Sequence, residues 1–432
     1  MNKLKIYLIL FLLCTGSFIS YGQIEGEVIK PRGGKFLLQN ATVVTVTKGT
    51  IQNGSVLLSN GKIEAVGTDV SAADATVIDC SGLFIYPGMI DAGNQLGLVE
   101  VNSVAETQDF AEIGDLSPHM QALTAVNPNS VAIPVTRVSG VTTSLALPSG
   151  GIFPGTAALI NLNGYTSEHM FAGFKGVVMN FPSSVRRGSY DRRTEEEIKK
   201  EAEKSLKQIN EIWEKATVYQ KLDAADAELN YYPEMAQMAK VVAGELPLLI
   251  EVNAASDIEA AIDWVEAKGV KAIFTGVAEG WRVAEKIAKA NIPVITGPVL
   301  ALPTRQSDRY DAAYTNPAKM LKAGVKVAIR TNDAENVRNL PFNAGFAAAY
   351  GMGKEEALKA VTIIPAEILG VADRLGSIEA GKNATLFVSD GDPFETQTQI
   401  MHVFIDGYKI PMTNRHIQLY QEFLDRSPGL EK

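Results

Sequence analysis

Eight short apolar runs recur through the middle of this chain, and their order constrains the fold more than any other feature of the sequence. Amphipathic helical segments, for example residues 257–267, 281–290 and 355–362, separate most of the later runs. Strands that alternate with helices are typical of parallel sheets, and eight such units close into a barrel. We therefore predict an α/β fold, a (β/α)8 TIM-type barrel. The predicted strands are residues 86–92, 142–147, 157–162, 176–181, 247–252, 271–275, 293–296 and 325–331.

The part of the chain that precedes the barrel predicts a small β domain. Turn dipeptides occur at Asn53-Gly54 and at Asn60-Gly61, and such dipeptides commonly reverse the direction of a hairpin. The β-rich runs around these turns are residues 36–38, 41–46, 55–58 and 63–66. Two further runs of the same type follow the barrel, at residues 384–388 and 403–410.

The N-terminus predicts export. Lys3 and Lys5 precede an apolar run over residues 6–19, after which the chain becomes polar, as in a secretory signal cleaved near Gly22. The run is short for a membrane span, so we expect a protein of the periplasm or the extracellular space that is not integral to the membrane after cleavage. Cys80 is then the single remaining cysteine, which excludes an intramolecular disulfide and predicts a buried thiol.

Length and charge limit the classes of partner. A chain of 432 residues with 46% hydrophobic residues can bury a large core. Its net charge of -9 and its pI of about 5.2 argue against a nucleic-acid partner. We expect a small-molecule substrate or ligand, with a homo-oligomer as a further possibility.

A long helix is predicted between the fourth and fifth barrel strands. Thr194 and Glu197 have the spacing of a capping box, and the helix is predicted over residues 194–222. Its apolar residues recur every three or four positions: Ile198, Ala202, Leu206, Ile209, Trp213, Ala216 and Tyr219. We expect this helix to pack on the barrel wall with a solvated outer face; the alternative is a lid or a partner surface.

Residues 86–98 contain a motif that suggests a family. The sequence Pro-Gly-Met-Ile-Asp-Ala at residues 87–92 resembles the first barrel strand of the amidohydrolase superfamily, in its imidazolonepropionase-like branch. Residues 339–384 are similar to the C-terminal signature of that branch. The resemblance implies hydrolysis of C–N bonds in non-peptide or cyclic amides. It also implies a composite β-sandwich built from both chain ends. The implied domains are a signal peptide at 1–22, sandwich pieces at 23–86 and 384–432, and a barrel at 87–383.

The family's zinc-binding pattern is altered in this chain. Relatives follow the first-strand motif with His-x-His, and they place further ligands and a catalytic aspartate at later strand ends. The residues at the corresponding positions here are Gly93, Gln95, Asn180, Glu251, Gly276 and Asn332. Glycine has no ligand atom, and an amide is a poor ligand for zinc. We therefore expect no metal and no other cofactor, and not a conventional binuclear metal hydrolase.

Glu251 is the one ionisable side chain left on the inward-facing set. It is predicted either to act as an acid or base with a raised pKa, or to form an ion pair with Arg330 or Arg305, and we favour the ion pair. Asp333 follows Asn332 and points to the other side of the strand unless a bulge turns it. The candidate catalytic residues are Glu251 and Asp333. The candidate ligand-binding residues are Gln95, Asn180, Asn253, Asn332 and Arg330.

Three functions therefore stay open. The first is an exported hydrolase with a degenerate or metal-free site. The second is a catalytically silent barrel that binds a small ligand at its amide-rich strand ends. The third is a non-catalytic partner that pairs with an active amidohydrolase relative.

Overall fold

A computed structural model describes residues 30–186, 191–226, 228–305 and 307–426 of the protein. The predicted signal peptide, residues 1–22, lies outside the described residues. The chain divides into two units, Met1–Pro31 and Arg32–Lys432, and the elements described below belong to the second.

The secondary structure alternates as the sequence predicts over most of the barrel. The strands are β1 Phe36–Val44, β2 Thr50–Ser59, β3 Lys62–Gly67, β4 Thr76–Asp79, β5 Phe84–Pro87, β6 Met89–Asn94, β7 Val141–Ala146, β8 Gly155–Asn161, β9 Phe171–Asn180, β10 Leu248–Val252, β11 Ala272–Gly276, β12 Val294–Thr296, β13 Val327–Ile329, β14 Leu386–Ser389, β15 Ile400–Ile405 and β16 Tyr408–Ile410. The α-helices are α1 Ala122–Ala125, α2 Ala132–Arg137, α3 Ser167–Met170, α4 Glu195–Ala224, α5 Pro233–Val242, α6 Ala255–Lys268, α7 Ala284–Lys289, α8 Ala312–Lys322, α9 Leu340–Ala347, α10 Lys354–Ala360, α11 Ile363–Ile368 and α12 Arg415–Arg426. Short turns of other helix types are Ala105–Thr107, Gly280–Arg282, Asn336–Asn339 and Ala348–Met352.

One sheet forms the barrel, with its strands in the order β13-β12-β11-β10-β9-β8-β7-β6. Two backbone hydrogen bonds join the ends of this sheet. Asn332 N donates to Gly93 O at 3.1 Å, and Gln95 N donates to Asp333 O at 3.1 Å. The predicted TIM-type barrel is therefore confirmed. The parallel strands all finish at one end of the barrel, and we call this end the barrel mouth.

Asp91 strengthens the closure between the first and last barrel strands. Its fully buried carboxylate accepts hydrogen bonds from Thr331 Oγ1 at 2.5 Å, from Thr331 N at 3.2 Å and from Gly93 N at 3.1 Å. Burial raises the pKa of Asp91 to about 6, although these hydrogen bonds oppose the increase.

The third barrel strand, β8, departs from the predicted parallel arrangement. It pairs antiparallel with both β7 and β9, so that Asn161 lies opposite Thr143 and Gly155 lies opposite Val178. A parallel crossover needs about a dozen residues or more, usually with a helix. Residues 147–154 and 162–170, which connect these strands, are too few for such a crossover. The chain therefore reverses direction twice here.

The first predicted strand divides between two sheets at Gly88. Residues before it form β5, which pairs with β1 and β14, and residues after it form β6 in the barrel. A Cβ atom at Gly88 would collide with the side chain of Thr142 on β7. Glycine therefore allows the chain to pass closely over the barrel as it changes sheets.

The second sheet combines both ends of the described chain. Its order is β16-β15-β14-β5-β1-β2-β3, and β4 pairs in addition with β1. Cys80, predicted to be buried, lies in the core of this sheet with no exposed surface, and burial raises the pKa of its thiol to about 11. The composite β-sandwich is confirmed, whereas the boundaries predicted for the domains stay predictions.

Helix α4 has the predicted capping box, in which Thr194 Oγ1 accepts from Glu197 N and Glu197 bonds back to Thr194 N. Its buried Trp213 meets Trp264 of α6 edge to face, with ring centroids 5.4 Å apart. The helix therefore packs on the barrel wall as expected. None of the described helices has the length and apolar character needed to cross a membrane.

Candidate functional site at the barrel mouth

Each strand has buried side chains that face the inside of the barrel, and the polar residues of the mouth are the next inward-facing residues along the same strands. One buried cluster draws on every barrel strand: Ile90, Leu145, Leu159, Val178, Leu249, Ile273, Ile295 and Ala328. Side chains alternate along a strand, so the residue two positions later faces the same side. By this rule β10, β11 and β13 deliver Glu251, Thr275 and Arg330 to the mouth.

Glu251 and Arg330 form an ion pair at the centre of the site. Arg330 Nη2 lies 2.9 Å from both carboxylate oxygens of Glu251. The arginine is 1% exposed, and the glutamate side chain is 28% exposed. The pair therefore lies in a largely dehydrated place, where its charges interact more strongly than at the surface.

The environment of Glu251 keeps its carboxyl group ionised. Thr275 Oγ1 donates to one oxygen at 2.7 Å and Asn253 Nδ2 donates to the other at 3.1 Å. Burial acts to raise the pKa of Glu251, but the charge of Arg330 and these hydrogen bonds outweigh burial and leave the pKa below its usual value. Of the two alternatives for Glu251, the geometry favours the ion pair over an acid with a raised pKa.

Arg305, the other partner considered for Glu251, bonds instead to Glu279. Its Nε and Nη2 donate to the two oxygens of that carboxylate. Glu279 is 1% exposed and also accepts from Ala255 N, the first residue of α6, at 2.9 Å. This second ion pair therefore joins the β11 loop to the loop after β12, and the hydrogen bond from Ala255 N holds the β11 loop against α6.

Neighbouring side chains close the space beside Gly93 and Gly276, the two glycines at which the resemblance predicts family metal ligands. A Cβ atom at Gly276 would lie 2.5 Å from both Glu251 Oε1 and Asn253 Oδ1, and φ there is +82°. A Cβ atom at Gly93 would lie 2.6 Å from Leu147 Cδ1 and 3.1 Å from Arg330 Cδ. A longer side chain at either position would require the site to rearrange.

The donor set of the mouth does not fit the family's metal centre. The described residues contain no group of three or more His, Cys, Asp or Glu side chains that could hold one ion. Zinc sites need such ligands to converge with free lone pairs. The carboxylate of Glu251 is already bonded to Arg330, Thr275 and Asn253, and the guanidinium charge of Arg330 would repel a metal cation.

Asn332 and Asp333 take different roles although they are adjacent. Asn332 has a left-handed backbone, with φ of +52°, and lines a cavity of the mouth. Asp333 accepts from Glu335 N at 2.8 Å and from Asn336 N at 2.9 Å, so it caps the turn Asn336–Asn339. Burial acts to raise the pKa of Asp333, but these bonds outweigh it and keep the pKa below its ordinary value.

Gln95 and Asn180 fix the loop that joins β7 to β8. Gln95 Nε2 donates to Ser149 Oγ at 3.2 Å, and Asn180 Nδ2 donates to Gly151 O at 2.8 Å. Their amide groups therefore position this connection, residues 147–154, at the mouth. Asn180 also lines one of the cavities described next.

Two cavities open at the mouth and share part of their lining. The first, of about 230 Å³, is lined on its polar side by Glu251, Asn253, Arg330 and Asn332. The second, of about 520 Å³, is lined by Asn180, Arg186, Glu251, Asn253 and Asp257, among others. The structure thus gathers Glu251, Asn253, Arg330 and Asn332 around one space.

Some residues of the site were absent from the sequence prediction. Thr275 lies opposite Glu251 in the register of β10 and β11, so aligning these neighbouring strands would have found it. Trp281 lines the first cavity, with Arg282 Cζ 4.1 Å and Lys319 Nζ 4.4 Å from its ring centroid. No signal in the sequence pointed to Trp281, because it lies on a short turn after β11.

Comparison with known proteins agrees with the fold and the motifs. The amidohydrolase family matches residues 138–411, which is more than half of the chain. An imidazolonepropionase of Thermoplasma volcanium is 23% identical over 370 residues, covering 80% of this chain and 85% of that protein. The amidohydrolase tasK of Hapsidospora irregularis is 22% identical over 402 residues, covering 82% of this chain; the chain spans only 39% of the length of tasK.

Solved structures give the same result. The crystal structure of an amidohydrolase from Thermotoga maritima MSB8 superimposes with a TM-score of 0.77 at 28% identity. The similarity covers 88% of this chain and 100% of that one. Together with the family match, these similarities identify the chain as a member of the amidohydrolase family, in its imidazolonepropionase-like branch.

Proposed function

We propose that this protein is exported and binds a small amide-type molecule at the barrel mouth, without a conventional binuclear metal centre. The observation that carries the proposal is the Glu251–Arg330 ion pair, whose side chains occupy the space beside Gly276 and Gly93. The resemblance predicts metal ligands at those two positions. A cavity lined by charged and amide groups replaces them, and such groups orient a polar ligand by hydrogen bonds.

Metal-free hydrolysis of a C–N bond is a second candidate. Glu251 is an ionised carboxylate that lines both cavities, and an ionised carboxylate can take a proton from an attacking water molecule. Both oxygens of Glu251 already accept hydrogen bonds, from Arg330, Thr275 and Asn253, so the carboxylate is poorly placed to take a further proton. Binding without turnover is therefore the function that we favour.

Metal content tests the absence of a binuclear centre. The protein should be purified with zinc and manganese present throughout, dialysed, and measured by elemental analysis. We expect well under one metal ion per chain. A stoichiometry near one or two would contradict the proposal, because other residues would then have to supply the ligands.

A glutamine variant separates binding from hydrolysis. Wild type, Glu251→Gln and the exposed control Glu285→Gln should be incubated with imidazolonepropionate, hydantoin and related cyclic amides. The favoured function predicts no turnover by any of the three proteins. Turnover that Glu251→Gln loses and Glu285→Gln keeps would instead establish the hydrolase.

Export is tested separately. N-terminal sequencing of the protein recovered from the periplasm or the medium should find a chain that begins just after Gly22. An intact N-terminus on a protein that stays inside the cell would contradict this part of the proposal.

A further inference from the structure

Arg330 crosses the centre of the barrel mouth. Its Cδ atom lies 3.1 Å from the position of a Cβ atom at Gly93, on the first barrel strand. Its Nη2 atom reaches Glu251, on the fifth barrel strand, at 2.9 Å. The side chain of Arg330 therefore passes over Gly93, a position at which the resemblance predicts a metal ligand, and Glu251 holds its guanidinium.

The guanidinium also has hydrogen-bonding capacity beyond its contact with Glu251. Its Nε atom is buried and has no hydrogen-bond partner among the described residues. Leaving a buried donor unpaired is unfavourable, and natural structures rarely do so. Arg330 lines the cavity of about 230 Å³, as does Asn332, whose amide both donates and accepts.

We propose that Arg330 replaces the metal as the fixed positive charge of the site and bonds to a carbonyl or carboxylate oxygen of the ligand in this cavity. A guanidinium is always charged, and its planar N–H groups match the oxygens of such ligands. Because Glu251 offsets the charge of Arg330, the site can accept a neutral carbonyl compound as well as an anion. The inference rests on the proposed function, since it names the chemistry of the ligand.

Part of the wall of the same cavity is apolar. Trp281, Pro298, Val299 and Leu302 contribute to its wall. A ligand that fits this arrangement has an oxygen at one end and a flat or apolar body at the other. Benzamide and benzoate have this form, and they distinguish a neutral carbonyl from a carboxylate.

Trp281 provides a signal for occupancy of the cavity. The chain has three tryptophans, and Trp213 and Trp264 are each 7% exposed and pack against each other in a separate buried cluster. A change in indole fluorescence on titration with benzamide or benzoate therefore reports on Trp281. The Trp281→Phe variant should abolish that change.

The decisive comparison removes the guanidinium without leaving an unpaired charge. The double variant Arg330→Met/Glu251→Gln should bind the better probe about 10- to 100-fold more weakly than wild type, as expected for a lost hydrogen bond to a charged group. Arg330→Lys keeps the charge but loses the planar group, and it should also weaken binding. The control Arg338→Met changes an arginine whose side chain bonds only weakly, to Asn336 at 3.5 Å, and should bind as wild type does.

Two results would overturn the inference. One is wild-type protein that binds neither probe at millimolar concentration. The other is the finding that the double variant and the Arg330→Lys variant both bind the probe as tightly as wild type does. In the latter case the proposed function would survive, because a ligand would still enter the cavity without contacting Arg330. Failure of the proposed function itself would show in the metal content, or in turnover that Glu251→Gln loses.

Discussion

Replacing Asp91 by asparagine should remove a pH-dependent part of the stability of the barrel. The carboxylate has no exposed surface, and it joins the first barrel strand to Thr331 after the last one. Asparagine has nearly the same shape. Its oxygen can accept from Gly93 N and Thr331 N, while its amide nitrogen donates to Thr331 Oγ1. The variant should therefore fold, and it should lose only the titration at this position.

The size and sign of the effect follow from the pKa. Burial raises the pKa of Asp91 from 3.8 in its ordinary state to about 6 in the folded protein. When the pKa of a group is higher in the folded than in the unfolded protein, the group adds stability at pH values below its unfolded pKa. This stability is lost as the pH rises through the folded pKa, which is about 6 here. Each pKa unit corresponds to about 1.4 kcal/mol, so the full effect is about 3 kcal/mol. At pH 4 the unfolded carboxyl group is still partly ionised, so wild type should gain about 2.4 kcal/mol relative to Asp91→Asn between pH 8 and pH 4.

Thermal unfolding of both proteins across this pH range measures the effect. An unfolding entropy of about 2.1 cal/mol/K per residue, over roughly 400 residues, converts about 2.4 kcal/mol into a difference of about 3 °C in Tm. The comparison between the two proteins cancels the titration of all other groups. A Tm difference that stays the same from pH 8 to pH 4 would refute the argument that burial controls this carboxyl group.

Two further changes test the geometry of the mouth. Arg330→Met should lower the free energy of unfolding by about 3 kcal/mol or more, because it leaves Glu251 without its cation, and adding Glu251→Gln should recover part of the loss. Denaturant titration of the two single variants and the double variant measures this coupling; strictly additive effects would mean that the pair contributes no coupling energy. Gly276→Ala should cost about 1 to 3 kcal/mol more than Gly244→Ala, since both glycines have positive φ but only Gly276 has close neighbours. Equal losses in the two alanine variants would show that the space beside Gly276 is not restricted.

Strand positions were predictable from the sequence because buried strands are apolar and short. Most of the predicted barrel strands match the observed ones to within a residue or two, for example 142–147 against Val141–Ala146. The direction of β8 was not predicted, because the apolar pattern is the same for a strand in either direction. The length of residues 147–154 carried that information, since so short a connection cannot cross the barrel.

The sequence predicted which residues form the candidate site better than it predicted the contacts that they make. The family resemblance placed Glu251 at the mouth, and the predicted ion pair with Arg330 is present. The prediction that Glu251 is the one ionisable side chain of the inward-facing set was wrong, because Arg330 lines the same cavity. The capping role of Asp333 depends on the left-handed backbone of Asn332, which a strand pattern does not reveal. The partners of Gln95 and Asn180 lie on a loop whose path is set by tertiary packing.

The reversed strand β8 has a consequence for anyone who exchanges parts of this barrel. In a parallel barrel each strand with its following helix is an interchangeable module. Here the last residue of β8, Asn161, points away from the mouth and donates to Asp406 of the sandwich at 2.7 Å. A graft that replaced β8 alone with a parallel strand would break the bond between Asn161 and Asp406. It would also change the path of residues 147–154, which connect β7 to β8 at the mouth. We therefore expect that a graft in this region must exchange residues 141–180, which contain β7, β8 and β9, together.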